Sequence, residues 1–209
     1  MTSWHGSGRS SRDFQIGTVG VEVKTTRKTS SEHRIQGPYQ VEPGTTVTGG
    51  VESHLYLFSV GIQEATDGSS PSWTLPGLVD GILDRLAADT QVIFLDQLHA
   101  YGAGDVDGYD HHDLAHRIRF GHAWALQFAR LYDMSDPKIS LLRTADLAHY
   151  KSVVPQSIEY TVKLPEHVTG AINPIHGLHM SANHVLRRAL GPDSATQRLG
   201  PTSPGARPG

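Results

Sequence analysis

The chain has 209 residues, of which 37% are hydrophobic and 19% charged, and its formal net charge at pH 7 is −3. This length suits one domain, and the charge balance excludes binding to nucleic acid through overall basicity. Cysteine is absent, which excludes disulfides, thiolate zinc sites and cysteine nucleophiles. No apolar run approaches the ~18 residues of a membrane span, and no signal-peptide pattern opens the chain, so we expect a cytoplasmic protein without a membrane partner.

Composition divides the chain into three parts. Residues 1–12 are small, polar and basic, and we expect a flexible segment. Residues 13–190 carry the periodic patterns of a folded domain. Residues 191–209 are rich in Pro, Gly, Ser and Thr with little to bury, so we expect a disordered tail.

The body opens with a stretch at residues 12–24 that predicts an antiparallel hairpin turning at residues 17–18, where glycine suits the first turn position. One face is apolar: Phe14, Ile16, Val19, Val21 and Val23. The other face carries Asp13, Gln15, Glu22 and Lys24. In this register Asp13 lies opposite Glu22, with Cβ atoms about 5 Å apart. Lys24 follows about 6.6 Å along the same face.

Three patterns follow in chain order. The apolar, aromatic and β-branched run at 54–62 predicts a buried strand. Residues 76–89 predict one helix, since Pro76 suits a first turn and the leucines fall on one face. Residues 91–98 fit either the end of that helical unit or another short strand.

The second half alternates between strand and helix signals. Residues 112–132 fit one helix, but the period of two among their large apolar residues favours a strand from about residue 118. Residues 157–164 alternate as a half-buried strand. Residues 180–190 predict an amphipathic helix that ends at Gly191. These elements together predict an α/β (α+β) domain.

Two converging carboxylates with a neighbouring lysine suggest a site for a hard cation. Oxygen ligands suit Mg²⁺ or Mn²⁺, which lower the pKa of a bound water and stabilise charge on a phosphate. The lysine of residue 24 can orient the attacking water as a compact cation. The alternative is an ordinary solvated strand face, where glutamate and lysine are common.

The hairpin resembles the active-site motif of a known superfamily. Asp13, followed by Glu22-Val23-Lys24, is similar to the Asp…Glu-x-Lys signature of PD-(D/E)XK, or restriction-endonuclease-like, proteins. Trp4, residues 33–35 and Gln40 resemble one uncharacterised branch, which is found in bacterial phage-defence gene clusters. The resemblance runs loosely from Trp4 to about residue 164 and is specific from Asp13 to Gln40.

The resemblance implies a fold, an activity and a set of site residues. The fold is a mixed β-sheet flanked by helices, and the activity is Mg²⁺- or Mn²⁺-dependent hydrolysis of DNA phosphodiesters. Asp13, Glu22 and the Val23 carbonyl would be metal ligands, Lys24 the catalytic lysine and Gln40 an accessory polar residue. Implied partners are DNA, a helicase or methyltransferase encoded nearby, and a second copy of the chain for double-strand cutting.

The family pattern also includes a helix before the hairpin that carries another acidic residue. Only twelve residues precede Asp13 here, and none is acidic. We therefore expect the first helix to be missing from this chain. That expectation keeps open an alternative function, a non-catalytic module that binds DNA or a partner.

Basic residues cluster around the hairpin and are candidates for contacts to DNA phosphates. They are Arg12, Arg27, Lys28, His33 and Arg34. The alternative is a solvated loop, which charge runs usually form.

A second candidate cluster lies at residues 110–116, where His111, His112 and His116 occur together with Asp110 and Asp113. On a helix, His112 and His116 would share a face, as zinc ligands do. No third ligand is evident, and a solvated polar segment is the simpler interpretation. This cluster supports a third hypothesis, an unrelated histidine-metal protein.

Overall fold

A computed structural model of the chain describes Trp4 and residues 12–66, 71–101, 109–170 and 172–191. Of the tail predicted to be disordered, 191–209, residues 192–209 lie outside the described residues, as does most of the segment 1–12. The described strands are β1 (Phe14–Ile16), β2 (Val19–Thr26), β3 (Ser31–Ile35), β4 (His54–Glu64), β5 (Ser72–Trp73), β6 (Trp124–Asp133), β7 (Tyr160–Leu164) and β8 (Ile175–His176). The described helices are α1 (Leu75–Leu83), α2 (Ala88–Tyr101), α3 (Leu114–Arg119), α4 (Thr144–Leu147) and α5 (Leu178–Leu190).

The main sheet is mixed, with strand order β1-β2-β4-β6-β5, and β8 also pairs with β6. β2 runs parallel to β4, whereas β1 with β2 and β4 with β6 are antiparallel. β3 and β7 form a separate antiparallel pair. The predicted fold class, a mixed sheet flanked by helices and consistent with a restriction-endonuclease-like core, is confirmed.

The hairpin of β1 and β2 has the predicted register. Ile16 pairs with Val19, Gln15 with Gly20 and Phe14 with Val21. The turn contains Gly17 at a φ of 59°, which glycine adopts without steric cost. A two-residue turn fixes the register of the strands that it joins, so the alternation of residues 13–24 was sufficient to predict this pairing.

The two faces of the main sheet are buried by different elements. On one face, Val19 and Val21 pack with Leu131 and with Val185 of α5. On the other face, buried side chains of β4 and β6 pack against the β3–β7 pair. These residues include Leu55, Leu57, Tyr132, Ile35, Val162 and Leu164. The second face carries Glu22 and Lys24, so the β3–β7 pair lies over the predicted site.

The helical unit after β5 is two helices rather than one. The side chain of Thr74 accepts a hydrogen bond from the Gly77 backbone and caps α1, which ends at Leu83. A new helix, α2, starts at Ala88 and covers residues 91–98, which the sequence left open between helix and strand. The backbone therefore turns between Leu83 and Ala88, inside the predicted helix 76–89.

The strand predicted from about residue 118 begins later. The side chain of Asp113 caps α3 by accepting from the Ala115 backbone. Ile118 lies within α3 and is 72% exposed, so its apolar character does not mark a strand. β6 starts at Trp124, and a register shift against β4 between Leu126 and Phe128 interrupts the period of two.

The remaining predicted elements differ mainly at their ends. The strand at 54–62 extends to Glu64, and the strand predicted at 157–164 is regular from Tyr160. α5 starts two residues before position 180 and ends at Leu190, where it is capped by Gly191 with a φ of 82°. β3 was not predicted. None of the described helices is long and apolar enough to cross a membrane.

Candidate metal and catalytic site

Asp13 lies just before β1, at the open edge of β2. Its carboxylate accepts a hydrogen bond of 2.7 Å from the backbone N–H of Val23. The N–H and C=O groups of one strand residue point to the same side of the strand, so the Val23 carbonyl also faces this edge. The carboxylate and the carbonyl therefore lie on the same side of β2.

Glu22 and Lys24 form an ion pair on the face of β2 beneath β3. Lys24 Nζ lies 2.8 Å from Glu22 Oε1, and the side chains are 18% and 8% exposed, respectively. This contact confirms that the two side chains share a face, as the hairpin pattern predicted. A lysine beside a largely buried carboxylate is well placed to keep that carboxylate ionised.

Burial nevertheless raises the pKa of Glu22 above its ordinary value. The hydrogen bond and the charge of Lys24 act in the opposite direction, and the charge of Asp13 raises the pKa further. Asp13 and Glu22 therefore interact as like charges. A divalent cation bound between them would relieve this repulsion.

The donor set fits a hard cation. Two carboxylates and a backbone carbonyl are oxygen ligands of the kind that Mg²⁺ and Mn²⁺ prefer. Within the described residues, no group of three or more His, Cys, Asp or Glu side chains is arranged to hold a metal ion. A cation at the hairpin would therefore complete its coordination with water or with substrate oxygens, as Mg²⁺ usually does.

Gln40 is buried in a 3₁₀ turn, Pro38–Gln40, that follows β3. Its side-chain oxygen accepts a hydrogen bond of 2.9 Å from the Gln36 backbone. This contact fixes the chain as it leaves β3. The contact that the structure shows for Gln40 is structural, and its accessory role stays a prediction.

Arg12 is not a surface residue, so its predicted contact with DNA phosphates is wrong for this structure. Its guanidinium forms an ion pair of 2.7 Å with Glu52, and both side chains are fully buried. It also donates to the backbone carbonyls of Tyr39 and Glu42. Gly20 makes room for the pair, since a Cβ there would lie 2.4 Å from Glu52 Oε1.

His33 is also enclosed rather than exposed to a ligand at the surface. It is 4% exposed, and its Nε2 lies 2.7 Å from Ser59 Oγ. Burial, followed by the charge of Lys24, lowers the pKa of His33 from 6.5 to about 4. The ring is therefore neutral at physiological pH, and the prediction that it contacts phosphate as a cation is wrong.

The other three basic candidates remain at the surface. Each forms an ion pair with a glutamate: Arg27 with Glu64, Lys28 with Glu32 and Arg34 with Glu159. Exposed pairs of this kind contribute little stability, so a phosphate can compete for these cations. Arg27, Lys28 and Arg34 therefore stay candidates for DNA contacts.

Sequence reasoning missed a row of polar side chains beside Lys24. By strand register, Lys24 of β2 neighbours Ser59 of β4, which in turn neighbours Arg130 of β6. Ser59 is fully buried, and Arg130 is 7% exposed. The signal in the sequence was a polar residue inside each of two apolar runs, at positions 59 and 130.

The histidines at 111–116 form a hydrogen-bonded cluster without the arrangement of a metal site. His111 contacts Asp80 at 3.0 Å and the Tyr109 hydroxyl at 2.9 Å. His116 Nδ1 accepts from the Asp110 backbone. His112 precedes α3, so the helical i,i+4 pairing proposed for His112 and His116 does not form.

Comparison with known proteins adds one match. Residues 1–130 match a family model described as "Putative PD-(D/E)XK family member, (DUF4420)". Neither the search of curated proteins nor the search of solved structures gave a match. The matched region contains the whole hairpin together with β3, β4 and the first three helices.

Proposed function

The chain belongs to this PD-(D/E)XK family, and from that premise we propose that it is a metal-dependent endonuclease that hydrolyses DNA phosphodiesters. One observation carries the proposal. Asp13, the Val23 backbone, Glu22 and Lys24 meet at one end of the hairpin, through a 2.7 Å hydrogen bond and a 2.8 Å ion pair. These residue types in this order resemble the family motif, and the two contacts pair Asp13 with Val23 and Lys24 with Glu22.

Asp13, Glu22 and the Val23 carbonyl would hold Mg²⁺ or Mn²⁺. Such a cation, when bound, supplies a more acidic water and stabilises negative charge on the phosphate. The Asp13 side chain is held in place by the Val23 N–H. The ammonium of Lys24 lies at the same site, where it can orient the attacking water and favour charge that develops on the phosphate.

The surroundings of the site support this assignment. Glu22 is 6% exposed, so its carboxylate is largely shielded from bulk water. Electrostatic interactions are stronger in such an environment than in bulk water. Arg27 and Lys28 follow β2 directly, and Arg34 lies on β3, so these exposed cations could contact phosphates that flank the scissile bond.

The wider setting rests on the resemblance alone. We propose a cytoplasmic role in a bacterial phage-defence system, with a helicase or methyltransferase as a partner. Two copies of the chain would supply the two active sites that double-strand cutting commonly needs.

One observation favours a second function, a non-catalytic DNA- or partner-binding module. Lys24 already neutralises Glu22 within a largely buried ion pair, which could serve as a structural contact only. A protein of this kind would retain DNA binding but would not cleave in the presence of a metal. The two proposals therefore differ in whether the protein cleaves DNA when a metal is present.

The test is nicking of supercoiled plasmid with Mg²⁺ or Mn²⁺ and again after chelation. We expect nicking that requires metal and that is lost in Asp13→Asn, which keeps a side-chain oxygen for the Val23 N–H but removes a charged ligand. Asp84→Asn, at the exposed end of α1, is the matched control and should nick like the wild type. Plasmid binding without nicking under every metal condition would favour the non-catalytic module.

A further inference from the structure

His33 and Ser59 form a buried pair next to Lys24. His33 Nε2 lies 2.7 Å from Ser59 Oγ, and Ser59 is fully buried. Either atom can be the donor in this contact, because the role of the ring nitrogen depends on the tautomer.

The His33 side chain lies where three strands, β2, β3 and β4, come together. Lys24 of β2 and Ser59 of β4 are register neighbours in a parallel pair, with strands about 4.8 Å apart. His33 reaches down from β3 and contacts β4 through Ser59. The ring is therefore fixed over the sheet at the level of Lys24.

The Lys24 side chain lies between two groups on this face of the sheet only in the sense of strand register. Glu22 is two residues back on the same face of β2, and Lys24 Nζ is 2.8 Å from its carboxylate. Lys24 is also the register neighbour of Ser59, the residue that contacts the His33 ring. A neutral ring offers no negative charge that would draw Lys24 away from Glu22.

We propose that His33 and Ser59 are positioning residues that hold the Lys24 ammonium beside Glu22. This inference rests on the proposed function for its catalytic consequence. The Ser59 hydroxyl orients the imidazole, and the imidazole closes the space into which Lys24 would otherwise turn. Neither residue touches the reacting atoms, so their loss should lower turnover and leave substrate and metal binding intact.

The test compares two buried hydroxyls at the same interface. Ser59→Ala removes the hydrogen-bond partner of His33, and Ser31→Ala removes a fully buried hydroxyl on β3 that contacts Tyr132 and Arg130 instead. We expect Ser59→Ala to lower kcat for plasmid nicking about tenfold or more, with KM within about twofold. Ser31→Ala should keep its kcat, and Ser59→Thr, which retains a hydroxyl, should recover most of the loss. Equal kcat values for Ser59→Ala and Ser31→Ala would overturn the inference.

A second measurement is independent of cleavage. The NMR resonance of the Lys24 ε-methylene group, in protein carrying isotopically labelled lysine, is assigned by its absence in Lys24→Gln. We expect Ser59→Ala to shift this resonance and Ser31→Ala to leave it in place. If the wild type does not nick, the proposed function fails, and the resonance alone decides whether His33 and Ser59 position Lys24. An unshifted resonance in Ser59→Ala would overturn the inference.

Discussion

The Lys24 ammonium lies 2.8 Å from the Glu22 carboxylate, on a sheet face that the β3–β7 pair covers. This ion pair joins the two residues of the Glu-x-Lys motif. It gives the protein a charged centre that is mostly shielded from water. The burial of Glu22 and of the neighbouring His33 makes the stability of the protein depend on pH.

The buried carboxylate of Glu22 should reduce stability as the pH rises. Its pKa is raised chiefly by burial, so the folded state holds the proton more tightly than the unfolded state does. Stability is then lost as the pH rises from the ordinary value of 4.5 through the folded pKa. Chelator-treated Glu22→Gln, compared with the wild type by urea unfolding, should gain more stability near neutral pH than at about pH 4.

Glu159→Gln is the control for this experiment, because Glu159 is an exposed carboxylate paired with Arg34. The change in unfolding free energy that Glu159→Gln causes should vary little between about pH 4 and neutral pH. A Glu22→Gln variant that is equally destabilised at both pH values would show that the ion pair, and not burial, dominates the energetics of this carboxylate.

His33 should make stability depend on pH in the opposite direction. Its pKa is about 4 in the folded state and about 6.5 when unfolded. Below about pH 6.5 the unfolded chain takes up a proton at His33 that the folded chain does not. The unfolding free energy therefore falls as the pH falls from about 6.5 to about 4. The slope for one proton is about 1.4 kcal/mol per pH unit.

His33→Gln should flatten this part of the curve of unfolding free energy against pH. His149→Gln, a replacement of an exposed histidine, should leave the curve as it is in the wild type. The prediction is wrong if the two variants have the same pH dependence in urea unfolding.

The Arg12–Glu52 pair should be far more important for stability than the surface pairs. Arg12→Met leaves Glu52 buried without its partner, and we expect a loss of about 3–5 kcal/mol in unfolding free energy. Arg27→Met breaks an exposed ion pair with Glu64. We expect this variant to lose at most about 1 kcal/mol in unfolding free energy. Urea unfolding of both variants tests this difference, and similar losses would contradict the structural role assigned to Arg12.

The surface cations should affect DNA binding without affecting the fold. Lys28→Ala removes one candidate phosphate contact, so the slope of log affinity against log salt should become shallower by about 1. Arg85→Ala, which changes an exposed cation after α1, should leave the slope unchanged. A Lys28→Ala slope equal to that of the wild type would remove Lys28 from the DNA interface.

The hairpin was predictable because its information is local. A two-residue turn and strict alternation fix the register, and the register places Glu22 and Lys24 on one face. The strand β3 was not predictable in this way. Residues 31–35 have weak apolar alternation and form a strand by pairing with β7, far along the chain.

The same limit explains the errors at Arg12 and His33. Their charge and position suggest a surface near the site, but their partners decide otherwise. Glu52 is 40 residues from Arg12, and Ser59 is 26 residues from His33. Burial depends on these distant contacts, which no local pattern reports.

The most direct test of the central claim separates metal binding from cleavage at Lys24. Lys24→Gln should nick plasmid about 10²–10³-fold more slowly than the wild type in single turnovers, because a group that stabilises the transition state is lost. Mn²⁺ affinity, measured by calorimetry on the same protein, should stay within about threefold, since the oxygen ligands remain. Lys151→Gln, at an exposed lysine, should match the wild type in both assays. Metal-dependent nicking by Lys24→Gln at the wild-type rate would contradict the assignment of this hairpin as the catalytic site.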